Sequence, residues 1–159
     1  MAGRTEVRQR GKTRAGSLAA RSAYAALLSA ADRVRVSFET VCARFDITAQ
    51  QYNVLRILRG AEPEGLPTLT IAERMIERTP GITRMVDRLE AKGLVAREMR
   101  PHDRRCVYCR ITKKGLSLLK LLDEPVEEFN RSAFRALSDA ELKQLVALLK
   151  RTRESHEPD

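Results

Sequence analysis

Between Leu18 and Arg44 the chain contains neither proline nor glycine, and Leu27, Leu28, Ala31, Val34, Phe38, Val41 and Phe45 recur near helical spacing, which predicts one long helix. Thr48 and Gln51 form a capping-box pattern that opens a second helix to about Arg59, with Tyr52, Leu55 and Leu58 on its apolar side. The stretch from Gly60 to Pro67 ends it, and Thr68 is placed to cap a third helix with Ile71, Ala72 and Met75 facing inward. A fourth helix follows a short turn. Thr79 supplies a capping hydroxyl, Pro80 suits the first helical position, and Ile82, Met85, Val86 and Leu89 mark its buried stripe.

Beyond Lys92 and Gly93 the period changes. Residues 94–100 read as a strand, Pro101 to Arg105 break the pattern with turn-forming and charged residues, and 106–111 resume extended character. Thr112 opens a leucine-rich helix in which Pro125 predicts a kink or interruption. Ser138 and Glu141 form a second capping box before a final helix carrying Leu142, Leu145, Val146, Leu148 and Leu149. Two short helices followed by a charged hairpin predict a fold that is mainly α with a small β-wing, a winged helix-turn-helix with terminal dimerisation helices. The predicted division is a flexible basic N-terminal arm at 1–17, a helical dimerisation region at 18–47 and 113–154, a winged helix-turn-helix lobe at 48–112 and a C-terminal tail at 155–159.

The charge distribution gives this architecture a purpose. The net charge is +9. Residues 1–21 contribute +5 and residues 78–115 contribute +7, the latter from eleven basic and four acidic side chains; residues 22–77 and 116–159 are slightly acidic. Clustered positive potential displaces counterions from a phosphate backbone, so double-stranded DNA is the expected partner. The exposed side of the fourth helix carries Thr83, Arg84, Asp87 and Arg88, with donors and acceptors suited to phosphates and base edges. The terminal helices hold more apolar surface than a small lobe needs to cover, which predicts a homodimer with two reader helices about 34 to 36 Å apart.

Other classes find less support. No apolar run approaches the ~20 residues of a membrane span, and no apolar segment of a secretory signal follows the basic start, so no membrane association and a cytoplasmic location are expected. Three cysteines cannot close a disulfide framework. Two distant histidines and one isolated Cys-x-x-Cys give no metal site, no cofactor is read, and no nucleophile, base or phosphate-loop constellation suggests an enzyme. Cys106 and Cys109 lie on opposite faces of a strand, which disfavours a bridge between them but leaves single-thiol oxidation beside several arginines as an alternative switch. A winged helix serving as a protein-interaction module and a sequence-nonspecific DNA coater are the other rivals; the charge at 78–115 argues against the first.

Residues 79–115, TPGITRMVDRLEAKGLVAREMRPHDRRCVYCRITKKG, resemble the MarR family of bacterial transcription regulators, and the resemblance in helix order extends over about residues 18–154. Asp103 and Arg105 match the family's wing signature, and Ile111-Thr112-Lys113-Lys114-Gly115 its helix start. The resemblance implies an obligate dimer on a pseudo-palindromic operator, usually a repressor, released when a small aromatic ligand binds. It implies a wing in which Asp103 orients Arg105 into the minor groove, where a narrow groove offers enhanced negative potential. Arg104, read as the wing tip, meets phosphate. Thr79, Gly81, Thr83, Arg84 and Arg88 are the recognition-helix candidates, with Arg84 foremost for guanine and Gly81 small enough for close approach. Arg88 has an alternative role in an ion pair with Asp87 or with a residue on another helix. Tyr24, Phe38, Tyr52 and Arg56 are candidates for a ligand crevice. Oxidant-sensing relatives place their cysteine near the start of the first helix, and this chain has none there; Cys42 reads as packing.

Overall fold

The computed structural model describes residues 3–77, 80–100 and 103–155, with the side chains of 3–16, 100 and 103–106 left aside. The elements are α1 (Gly3–Ala43), α2 (Ala49–Arg59), β1 (Leu66–Pro67), α3 (Thr68–Arg74), α4 (Ile82–Ala91), β2 (Val95–Arg100), β3 (Asp103–Ile111), α5 (Lys113–Ala133) and α6 (Asp139–Glu154). The chain divides into two compact units, residues 1–40 and 41–159.

The first unit is most of α1. The helix begins at Gly3, not near Leu18, so the basic arm continues it; between Gly3 and Ser17 the good helix former Arg occurs four times and no proline interrupts the run. Leu18, Tyr24, Leu28 and Val36 are exposed along it.

The second unit holds the core. Val54, Leu55 and Leu58 of α2 are fully buried, as are Ile71 of α3, Val86 and Leu89 of α4, Val95 and Cys109 of the hairpin, and Leu119 and Leu122 of α5. The Thr48–Gln51 capping box forms as the spacing predicts, each side chain bonding the other's backbone N–H at 3.1 Å. Arg59 reaches Asp123 at 3.3 Å and ties α2 to α5. The sheet is antiparallel in the order β1-β3-β2. Its edge strand β1 pairs Leu66 with Cys109 and Pro67 with Tyr108, a pairing that the Gly- and Pro-rich sequence around it conceals.

Four local expectations are corrected. Thr68 is not the cap of α3: Pro67 holds that position without a side-chain bond, and the Thr68 hydroxyl lies 3.6 Å from the Cys109 thiol. The helix α4 starts at Ile82 with Gly81 as its cap, so Pro80 is outside it; Thr79 falls outside the described residues. Pro125 does not interrupt α5, which runs unbroken from Lys113 to Ala133, because the missing proline N–H costs one backbone bond of a 21-residue ladder. Strand β3 begins at Asp103, whose backbone pairs with Arg100. Asp103, Arg104 and Arg105 therefore lie on the strand, and Arg104 is not at the tip; residues 101 and 102, between the strands, fall outside the described residues.

Candidate nucleic-acid interface

Helix α4 separates its two faces as the sequence pattern requires. Ile82, Val86 and Leu89 are buried, while Thr83, Arg84, Asp87 and Arg88 are exposed. Gly81 enters the helix with φ +96°, a left-handed conformation that glycine adopts without a Cβ penalty, and the space a Cβ would occupy is open. Gly81 has no side chain to cap the helix start, and among the described residues no side-chain cap bonds its first amides.

Asp87 does not pair with Arg88. Its carboxylate lies 2.6 Å from Nη1 of Arg97 on β2, and the same nitrogen lies 3.1 Å from Glu90. Nη2 of Arg97 donates to the Thr83 carbonyl at 3.3 Å. Burial works against the Arg97 charge, but the Asp87 and Glu90 carboxylates outweigh it and raise the guanidinium's pKa above its ordinary value. Among the described residues Arg84 and Arg88 have no carboxylate partner. They are the outward cations of α4.

The hairpin is fixed at its base and along its length. Arg110 of β3 reaches both carboxylate oxygens of Glu98 on β2, at 3.2 and 3.4 Å. Past the end of α4, Lys92 bonds the carbonyl and carboxylate of Asp46, Thr112 donates to the Gly93 carbonyl at 2.7 Å, and Lys114 donates to that of Lys92 at 2.7 Å. Gly115 packs against this turn so closely that a Cβ there would stand 2.4 Å from the Leu94 carbonyl oxygen. Thr112 caps α5 through the Gly115 N–H, as its position in the helix-start motif implies.

The crevice candidates divide. Tyr52 is buried, and the Arg56 guanidinium carbon stands 6.0 Å from its ring centroid. Burial raises the Tyr52 phenol above its ordinary pKa, against the opposing effect of Arg56 and Arg59. Tyr24 is exposed and Phe38 half-buried, and both belong to the first unit. Cys42 and Cys109 are buried and form no disulfide, and the Cys106 side chain lies outside the described residues. Among the described residues no group of His, Cys, Asp or Glu is placed to hold a metal, and no helix is long and apolar enough to cross a membrane.

A helix-turn-helix buttressed by a hairpin wing, with Arg84 and Arg88 exposed on its outer helix, defines a winged-helix protein of the nucleic-acid-binding class. Residues 47–107 match the MarR family. The homoprotocatechuate degradative operon repressor of Escherichia coli is 31% identical over 124 residues, 78% of this chain and 82% of that protein. The crystal structure of a MarR transcription factor from Planctomyces limnophilus is 42% identical, with a TM-score of 0.66 over 82% of this chain and 94% of that one. A mutant MarR from Escherichia coli complexed with operator DNA is 25% identical, with a TM-score of 0.72 over 79% of this chain and 89% of that one. The chain belongs to the MarR family of transcriptional regulators.

The main element that sequence reading missed is Arg97. It was visible only as one more basic residue on a strand, and nothing local marks it as the partner of Asp87 and Glu90.

Proposed function

We propose that the protein is a cytoplasmic, homodimeric repressor that binds a pseudo-palindromic operator in double-stranded DNA and releases it when a small aromatic ligand binds. The observation that carries this reading is α4: an amphipathic helix with its apolar stripe buried and Thr83, Arg84 and Arg88 exposed, within a segment of net charge +7. Gly81, with open space beside it, suits close approach to phosphate, and Thr79 is a further candidate contact from the sequence. Asp103, Arg104 and Arg105 on β3 supply the wing contact, with Arg105 in the minor groove and Asp103 orienting it.

The dimer rests on the terminal helices. Helix α6 has no buried residue, and Leu121, Val146, Leu148 and Leu149 are exposed on α5 and α6. Apolar surface of this extent needs a cover, and a second copy of the chain gives the twofold symmetry that a palindromic operator mirrors. Ligand release is carried by family membership, with Tyr24, Phe38, Tyr52 and Arg56 as its candidate contacts.

Selection of bound duplexes from a random library by the purified, reduced protein tests the reading. An enriched inverted repeat with half-sites about one turn apart is the expected result. Binding without an enriched motif would make the protein a nonspecific coater, and no binding would make the fold a protein-interaction module.

A further inference from the structure

One side chain holds the wing to the reader helix. Arg97 stands on β2, on the same face as the buried Val95, with Cys109 opposite it in the register of β3. Its guanidinium is bonded to Thr83, Asp87 and Glu90. These positions are spaced four and three apart, so they form one stripe along successive turns of α4. A helix of 10 residues is thereby gripped along nearly its whole length, and its first turn is held through the Thr83 carbonyl. Asp87 and Glu90 are also the only carboxylates of α4, and Arg97 engages both. With only 24% of its side chain accessible, Arg97 is the least exposed member of this cluster. On the neighbouring position of β2, Glu98 and Arg110 lock the strand to β3, so the grip is transmitted to the whole hairpin.

We propose that Arg97 is a positioning residue for operator recognition: it sets the pose of α4 against the wing, so that Thr83, Arg84 and Arg88 meet base edges while the wing stays in the adjacent groove. The inference rests on the DNA-reading assignment above. It differs from a phosphate-contact role, because Arg97 points at protein acceptors and carries its information through α4. It also differs from general stabilisation, because a planar fork with several acceptors defines a direction that a single ammonium does not.

The test compares affinity for the duplex that the wild-type protein enriches with affinity for a scrambled duplex of the same composition, across a salt series and alongside thermal midpoints. Arg97→Lys retains the charge and loses the fork, and it is expected to lower the preference for the enriched duplex about tenfold with an unchanged salt slope. Asp87→Asn is expected to shift the preference in the same direction, and the double variant Arg97→Lys with Asp87→Asn to be no worse than Arg97→Lys alone. Asp87→Asn leaves Arg97 in place and alters an exposed side chain, so it keeps the test open if the Arg97 variants fold poorly. Full rescue by lysine, or a preference that is unchanged while the thermal midpoint falls, would overturn the proposal. So would an Arg97→Ala variant that loses affinity equally on both duplexes, with the salt slope reduced by about one, since that marks a phosphate contact. A wild-type protein that enriches no motif defeats the DNA-reading assignment itself, a result distinct from any of these.

Discussion

Arg84 carries the strongest expectation for a single residue. It is exposed in the first turn of α4, without a carboxylate partner among the described residues, and its fork matches the guanine O6 and N7 edge. Arg84→Ala is expected to cost about 1 to 3 kcal/mol of operator binding and to relax preference at one position, read by competition with singly substituted duplexes. An equal loss on every sequence would reassign it to phosphate. Gly115 is the matching case for stability. As part of a helix-start motif it was legible in the sequence, but the reason for the glycine was not: its Cα faces the Leu94 carbonyl across the base of the wing. Gly115→Ala is expected to destabilise the fold by about 1 to 3 kcal/mol or more in urea unfolding, because the neighbour in the way is backbone. Asp87 shows the opposite limit. Its place on the exposed face was readable from periodicity, yet its choice of Arg97 over Arg88 depends on a strand ten residues downstream folding back across the helix.

Elements were legible where their signals lie within one turn. Both capping boxes form with the residues that their spacing names, and α2 and α6 begin where the boxes place them. Thr48→Ala is accordingly expected to cost about 1 kcal/mol, since α2 carries three fully buried residues of the core and its stability is coupled to global unfolding. A midpoint unchanged in denaturant would mean that water caps the helix as well as the hydroxyl does. Elements were less legible where a distant partner supplies the bonds. The two residues of β1 become a strand only because Cys109 and Tyr108 lie alongside them, and β3 reaches back to Asp103 because Arg100 is there to pair with it. Pro125 inside α5 errs in the other direction: a local rule predicted a break, yet the helix runs on through it from a preceding stretch anchored by the fully buried Leu119 and Leu122.

At the scale of the molecule the unfinished surface is the central observation. Leu148 is about half exposed on a helix that buries nothing, and Leu121 is 65% exposed on α5. Leu148→Glu places a charge where the proposed second copy packs. Sedimentation should then show a monomer, and binding to the full inverted repeat should fall to the weak affinity of a single half-site. A variant that remains dimeric would move the interface elsewhere, since a buried unpaired carboxylate is not tolerated at a packed contact.

The sequence by itself determined the order of the helices, the caps Thr48, Thr112 and Ser138, the exposed face of α4 and the basic stretch that points to DNA, because periodicity, capping and charge are properties of neighbouring residues. Tertiary structure decided the partner of Asp87, the edge strand β1, the close approach at Gly115 and the tie between Arg59 and Asp123. Each of these joins positions that meet only after the chain has folded, and a side chain's partner is selected by distance in space, which spacing along the chain does not encode.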